Sequence, residues 1–247
     1  MKHKTLIYLA MFCLISAGMP AEASNNKVNP SDKTKKHKVS FGVKGGFNSA
    51  MTFTDQLSYG DQELSGIQNN YKVGYLATVF ARITLKNKHF FQPEISYDIS
   101  QGSISINNLR ENATLLESSA LIKTKMVSLG VPLLYGYKFI DAYPYGMSLF
   151  FGPKISWTLE DMTSSEFSGF YQKNITEEFH PFNYSIVAGI GVNISNIFFD
   201  FRYEAGLNNI TKSVIYDKQQ TESPYNEHEI TLKRRKNILS FSVGVIF

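Results

Sequence analysis

The stretch Phe182–Asn208 constrains this chain more than any other. Every second residue from Phe182 is apolar or aromatic: Phe182, Tyr184, Ile186, Ala188, Ile190, Val192 and Ile194. Between them stand Asn183, Ser185, Val187, Gly189, Gly191 and Asn193. After Ser195-Asn196 the alternation resumes as Ile197, Phe199, Phe201, Tyr203, Ala205 and Leu207, with Phe198, Asp200, Arg202, Glu204, Gly206 and Asn208 opposite. A period of two is that of a strand, and a two-residue turn keeps its flanking residues on one face. The stretch is therefore a tight hairpin with one continuous apolar surface. Each arm reaches the roughly 9–11 residues that a tilted strand needs to cross a bilayer.

A strand that is only half apolar escapes a hydropathy search for helices, so the absence of a long apolar run does not argue against a membrane protein. The N-terminus carries the features of a secretory signal. Lys2 and Lys4 precede an apolar core over Leu6–Ile15, and Ala21-Glu22-Ala23 is an A-x-A-type cleavage site. Residues 1–23 are expected to be removed, with Ser24 beginning the mature chain. Cys13 lies inside the signal core, so the exported chain has no cysteine and must be stabilised in an oxidising compartment without disulfides. The formal charge of +4 across 247 residues, part of it in the signal, gives no argument for nucleic acid.

Residues 24–37 are polar, Lys-rich and aperiodic, a disordered lead-in. From residue 38 onward the period of two recurs in eight segments. They begin with Val39–Asn48 and Tyr71–Leu85, turn through Lys86-Asn87-Lys88 into Phe91–Ile99, and continue with residues 123–138, 145–157, 182–194, 197–208 and 239–247. Long polar connections, about 49–70, 101–121, 159–180 and 210–236, alternate with short ones. An even strand number with short turns at one end and long loops at the other is the pattern of an eight-stranded antiparallel outer-membrane β-barrel, with short periplasmic turns and long extracellular loops. A soluble β-sandwich or lipocalin-like barrel also alternates. The non-apolar face separates the two. It is crowded with Gly42, Gly46, Gly74, Gly130, Gly136, Gly146, Gly152, Gly189, Gly191, Gly206 and Gly244, which suit a narrow barrel interior. Tyr71, Tyr97, Tyr137, Tyr145, Trp157, Phe182 and Tyr184 lie near strand ends on the apolar face, as an interfacial girdle requires. Val127 belongs to the outward set of its strand. Pro93, Pro132 and Pro153 fall within strands and are expected to sit at bulges.

The segments Phe41-Gly42-Val43-Lys44-Gly45-Gly46-Phe47-Asn48, Phe91-Gln92-Pro93-Glu94-Ile95-Ser96-Tyr97, Val131-Pro132-Leu133-Leu134-Tyr135-Gly136-Tyr137 and Phe151-Gly152-Pro153-Lys154 resemble those of the PorT-type outer-membrane β-barrel proteins of the Bacteroidetes. The resemblance covers nearly the whole mature chain. It implies a barrel and, through the family's namesake, a part in protein secretion across the outer membrane.

Eight charges face inward: Lys44, Arg82, Lys154 and Arg202 against Glu94, Asp98, Asp200 and Glu204. Unpaired charge in a confined lumen is costly, so balanced signs point to mutual ion pairs that plug the barrel. A selective pore or proton path is the functional alternative, but eight strands leave an interior filled by side chains. The run Lys233-Arg234-Arg235-Lys236 closes the last long loop. There it is either a solvated charge cluster or a contact for the phosphates of lipopolysaccharide. Phe247, six positions after Phe241, resembles the C-terminal signal read by the outer-membrane assembly machinery. A lipid-modifying barrel enzyme needs a His with a Ser and a carboxylate at a loop rim. None of His89, His180 and His228 shares a strand rim with an evident Ser nucleophile, but His180 and His228 could meet in space with Ser164, Ser165 or Ser168 beside them, which leaves a lipid-modifying enzyme as the further alternative; no ligands have metal-site spacing. The expectation is therefore a non-enzymatic outer-membrane protein without cofactor or metal. Its partners are lipids, lipopolysaccharide and the assembly machinery, and secretion-complex proteins in the PorT-like alternative.

Overall fold

The computed structural model describes residues 39–59, 62–63, 66–107, 116–227 and 229–247. The signal segment 1–23, the lead-in 24–37 and His228 lie outside the described residues. The strands are β1 (Val39–Tyr59), β2 (Gln62–Glu63), β3 (Ile67–Tyr71), β4 (Val73–Thr84), β5 (His89–Asn107), β6 (Leu116–Ala142), β7 (Tyr145–Thr158), β8 (Ser164–Phe170), β9 (Lys173–Phe179), β10 (Phe182–Ile194), β11 (Ile197–Gly206), β12 (Thr211–Asp217) and β13 (Ile230–Ile246).

Eight of them close a ring. β1 pairs with β4, β4 with β5, β5 with β6, β6 with β7, β7 with β10, β10 with β11, β11 with β13, and β13 returns to β1, every pair antiparallel. The seam is tied at its end by Phe247 N–H donating to Phe41 O at 2.8 Å and Phe41 N–H to Phe247 O at 3.2 Å. A closed ring leaves no barrel edge unpaired, which a chain without cysteine bonds can use in place of covalent staples. The organising hairpin is β10–β11, with Ile194 opposite Ile197 across a Ser195-Asn196 turn in which Ser195 has φ 55°. Along each barrel strand exposure alternates, and the exposed set is apolar: Phe41, Val43 and Phe47 on β1, Leu149, Phe151 and Ile155 on β7, Phe201 and Tyr203 on β11. Tyr71, Tyr97, Tyr137, Tyr145, Trp157, Phe182 and Tyr184 are all exposed on this outer face.

The interior glycines have a specific use. Gly42 lies opposite Phe80, Gly136 opposite Phe90 and Gly189 opposite Phe150. A Cβ on Gly136 would stand 2.2 Å from Cζ of Phe90, and one on Gly42 2.3 Å from Cζ of Phe80. Each phenylalanine folds its ring over the bare backbone of its cross-strand neighbour, which pins register and fills the narrow bore. Phe90, Leu134, Phe150 and Val187 form one buried cluster there. The lumen is thus part aromatic, where sequence reasoning expects only polar and charged filling.

Pro93, Pro132 and Pro153 are not at bulges. Register is the same on both sides of each, and Pro153 pairs with Ile186 without interruption. The β5–β6 ladder instead skips from Pro93↔Leu133 to Ser96↔Gly130, and β6–β7 from Pro132↔Lys154 to Tyr135↔Phe151. The missing donors are absorbed by local gaps in adjacent ladders.

The four long connections differ most from their description as polar loops. The β1–β13 ladder runs up to Tyr59↔Ile230, and β5–β6 up to Asn107↔Ser119. β3 adds to β5, β8 to β6, and β9 pairs with β12. A register shift between Thr54 and Gln56 changes the inward parity of β1 and turns Leu57 into a second core. That core contains Leu57, Ile104, Ile106, Ala120, Ile122, Phe170, Val214, Tyr216, Ile230 and Leu232. It makes a folded β head on the long-connection end. Val127, outward by parity, is nonetheless buried, since Leu159 N–H donates to its carbonyl at 2.8 Å and its own N–H to Thr163 Oγ1 at 3.1 Å.

Candidate functional site: a filled lumen and two mouths

Ascending the inward faces from the short-turn end, the lumen is a stack of charge layers on an aromatic base. Arg82 lies lowest, its guanidinium carbon 4.7 Å from the ring centres of both Phe90 and Phe198. Its Nε donates to Gln92 Oε1 at 2.6 Å, and Gln92 Nε2 donates to Glu94 Oε1 at 2.5 Å. One layer up, Glu94 accepts from Arg202 at 2.7 and 2.8 Å and from Lys44 at 3.1 Å. Asp200 accepts from Lys44 at 2.7 Å, from Arg202 Nε at 2.9 Å and from Ser242 at 2.6 Å. Arg202 also stacks on Phe150 at 5.0 Å. Above this, Lys154 bridges Asp98 at 3.0 Å and Glu204 at 2.8 Å, while Ser96 and Ser185 each donate to one of those carboxylates at 2.8 Å.

Seven of the eight sequence-selected charges therefore fall into two ion-pair layers, and Arg82 stands apart from both. The side chains of Lys44, Glu94 and Asp200 are at most 1% exposed. The cavity between the layers, lined by Asn48, Asp98, Lys154, Arg202 and Glu204, holds about 30 Å³. That is the scale of a water molecule.

The basic run at the start of β13 divides by strand parity. Lys233 and Arg235 face outward and Arg235 chelates Asp55, Nε to Oδ2 and Nη2 to Oδ1 both at 2.9 Å. This fork holds the Asp55 carboxyl below the usual carboxylate range. Arg234 and Lys236 point into the barrel, so neither can meet a lipid phosphate. Arg234 is 1% exposed and forms a third layer with Glu177 of β9, to which it is bonded through Nε at 3.2 Å and through Nη2. Ser165 and Thr211 each donate to Glu177 at 2.6 Å. Lys236 Nζ meets Met126 Sδ at 3.3 Å. The reason is elementary: β13 begins at Ile230, so the run is strand and alternates.

Sequence reasoning missed Glu177, Arg234 and Lys236 as interior groups. Counting back in twos from Ile238 finds the two cations, whereas nothing local marks Glu177. His89 lies at the short-turn end with Nδ1 2.9 Å from Tyr135 Oη, and His180 N–H donates to Ile210 O at 2.9 Å. Ser165 is committed to Glu177, and Phe247 is an exposed outward residue at the seam. Among the described residues no group of three or more His, Cys, Asp or Glu could hold a metal.

A closed antiparallel ring with an apolar, aromatic-rimmed exterior and an ion-paired interior defines an outer-membrane β-barrel protein. Residues 23–212 match the family described as "Outer membrane protein beta-barrel domain", and the chain belongs to that family. Its place is the outer membrane. The fold is similar to the crystal structure of the outer membrane protein OprG from Pseudomonas aeruginosa, with TM-score 0.53 and 9% identity over 85% of this chain and 97% of that one. Neisserial surface protein A matches at TM-score 0.38 and 13% identity over 83% of this chain and 96% of its own. Ail, the attachment invasion locus protein of Yersinia pestis, matches at TM-score 0.37 and 10% identity over 85% and 99%. No curated protein sequence matches the chain.

Proposed function

We propose that this protein is a non-enzymatic outer-membrane barrel that displays a folded β head as an interaction surface, its lumen serving as a structural plug. The carrying observation is the second apolar core: the strands do not end at the membrane but continue into a head packed around Ile104, Ile122 and Leu232. Burying such side chains contributes roughly 1.5–3 kcal/mol each, so the head is a specific rigid surface and not a set of mobile loops. Its edge strand β3 is largely exposed from Gln68 to Tyr71, an available strand edge for a partner. Lys233, exposed just below the head, is the remaining cation of the basic run suited to a lipopolysaccharide phosphate, with Arg235 shared with Asp55. Phe247 fits recognition by the assembly machinery. The PorT-like segments support a PorT-type subgroup, and a secretion-accessory role would show as co-purification with secretion proteins.

The test places a photo-crosslinking residue at exposed Gln68 or Asn174 in living cells. Adducts of defined mass are expected. They should vanish when Ile122→Asp breaks the head core while the barrel stays heat-modifiable on gels. No adduct from either position, or adducts indifferent to Ile122→Asp, contradicts the proposal.

A further inference from the structure

We infer that the short-turn mouth of the barrel is a binding pocket for a small oxyanion, a carboxylate or phosphate, seated on Arg82. This mouth encloses about 470 Å³ and is lined by Ser40, Arg82, Lys138, Ser148, Asn193 and Asn196 among others. Its surface is mainly polar, yet its deepest group is a cation without an anion. Arg82 is 4% exposed and has no carboxylate within salt-bridge distance among the described residues.

The guanidinium is held for a ligand. Phe90 and Phe198 stack on it at 4.7 Å each, which leaves only its edge for hydrogen bonding. Nε is used by Gln92 at 2.6 Å, and Nη1 reaches Asn193 Oδ1 at a long 3.4 Å. Nη2 is buried and has no hydrogen-bond partner. A buried charged donor left unpaired costs several times what a neutral one does. An oxyanion placed against Nη2 and Nη1 relieves that cost with the paired, charge-assisted geometry that arginine favours.

Charge balance points the same way. Among the described residues the bore carries six cations, Lys44, Arg82, Lys154, Arg202, Arg234 and Lys236, against five carboxylates, Glu94, Asp98, Glu177, Asp200 and Glu204. A monoanion at the mouth neutralises the interior. Lys236, the other interior cation without a carboxylate contact, lies far up β13 beneath the head, out of reach from this mouth. Lys138, held at 3.5 Å from Asp141, stands at the rim as a second positive group. Phe80, Phe90, Phe150 and Phe198 are all buried in the bore, with Phe90 and Phe198 flanking Arg82, so the anion binds and does not cross. The pocket faces the periplasm, on the side opposite the head, and its ligand is drawn from that compartment.

The experiment titrates inorganic phosphate, and separately acetate, into isotope-labelled full-length mature protein in lipid nanodiscs at constant ionic strength. The Arg82 side-chain and Asn193 amide resonances are followed by nuclear magnetic resonance. Saturable shifts confined to residues of this mouth are expected for at least one probe, with affinity about tenfold weaker in Arg82→Gln, the loss of one charge-assisted contact. If Arg82→Gln does not give a heat-modifiable barrel, Ser148→Val, on the same wall, replaces it, and narrowing the pocket should weaken binding. Shifts that fail to saturate with either probe, or that are unchanged in the variant, overturn the inference. So do shifts confined to Lys138, which would mark only a diffuse surface cation.

Discussion

Glu94→Gln is the sharpest perturbation of the plug. The carboxylate takes four hydrogen bonds, from Lys44 at 3.1 Å, Arg202 at 2.7 and 2.8 Å, and Gln92 at 2.5 Å, and its side chain is fully buried. The amide keeps shape but removes the charge and turns two hydrogens toward donors. Lys44 and Arg202 are then left to share Asp200 alone, with a cavity of about 30 Å³ above them and no water-filled lumen to screen the excess. Breaking a buried pair in this way costs about 3–5 kcal/mol. Lys44→Met in the same chain restores neutrality in that layer and should recover most of the loss. The assay is urea unfolding in lipid vesicles, followed by gel mobility and by fluorescence of Trp157, the chain's one tryptophan, exposed on the outer face near Phe182. A loss below about 1 kcal/mol, the value of an exposed pair, would refute the dry-lumen reasoning. A double variant as unstable as the single one would refute the charge-balance reasoning.

Two other perturbations separate inside from outside. Arg234→Met leaves Glu177 buried without its cation and should cost about 3–5 kcal/mol, whereas Arg235→Met, breaking an exposed fork to Asp55, should cost far less in the same assay. In the head, the Ser213 hydroxyl and Lys212 hold the Glu178 carboxyl below the usual carboxylate range. A depressed pKa contributes stability above the unfolded value of about 4.3 that is lost as pH falls through the folded value, so hydrogen exchange of β9–β12 should quicken in that acid range. Ser213→Ala should make the exchange less sensitive to pH there, and an unchanged profile would count against the contact.

The barrel was legible because one physical rule governs all of it. A wall with lipid outside and a narrow bore inside imposes strict alternation, and the hairpin from Phe182 to Leu207 displays it without a break. The same rule placed Lys44, Arg82, Glu94, Asp98, Lys154, Asp200, Arg202 and Glu204 inside before any contact was known. It extends beyond the eight segments into the long connections. Polar composition suggested loops there, yet Leu232, Arg234, Lys236 and Ile238 continue the inward parity of β13. Two features had no local signal. The bulge that turns Leu57 inward depends on its partner strand, and Glu177 meets Arg234 across a separation in sequence of 57. The seating of Phe80 on Gly42 and Phe90 on Gly136 requires register, which alternation alone does not supply. Pro93, Pro132 and Pro153 carry the opposite lesson: a lost donor need not displace a strand when neighbouring ladders can each omit two pairs.

The most direct measurement of the sealed lumen is single-channel recording with purified, heat-modifiable protein in a planar bilayer. Layers of Lys44, Glu94, Asp200 and Arg202, then Lys154, Asp98 and Glu204, then Arg234 and Glu177, should leave the membrane at its baseline conductance at either polarity. Discrete, reproducible current steps from the intact protein would contradict the account and make the charge layers the lining of a pore.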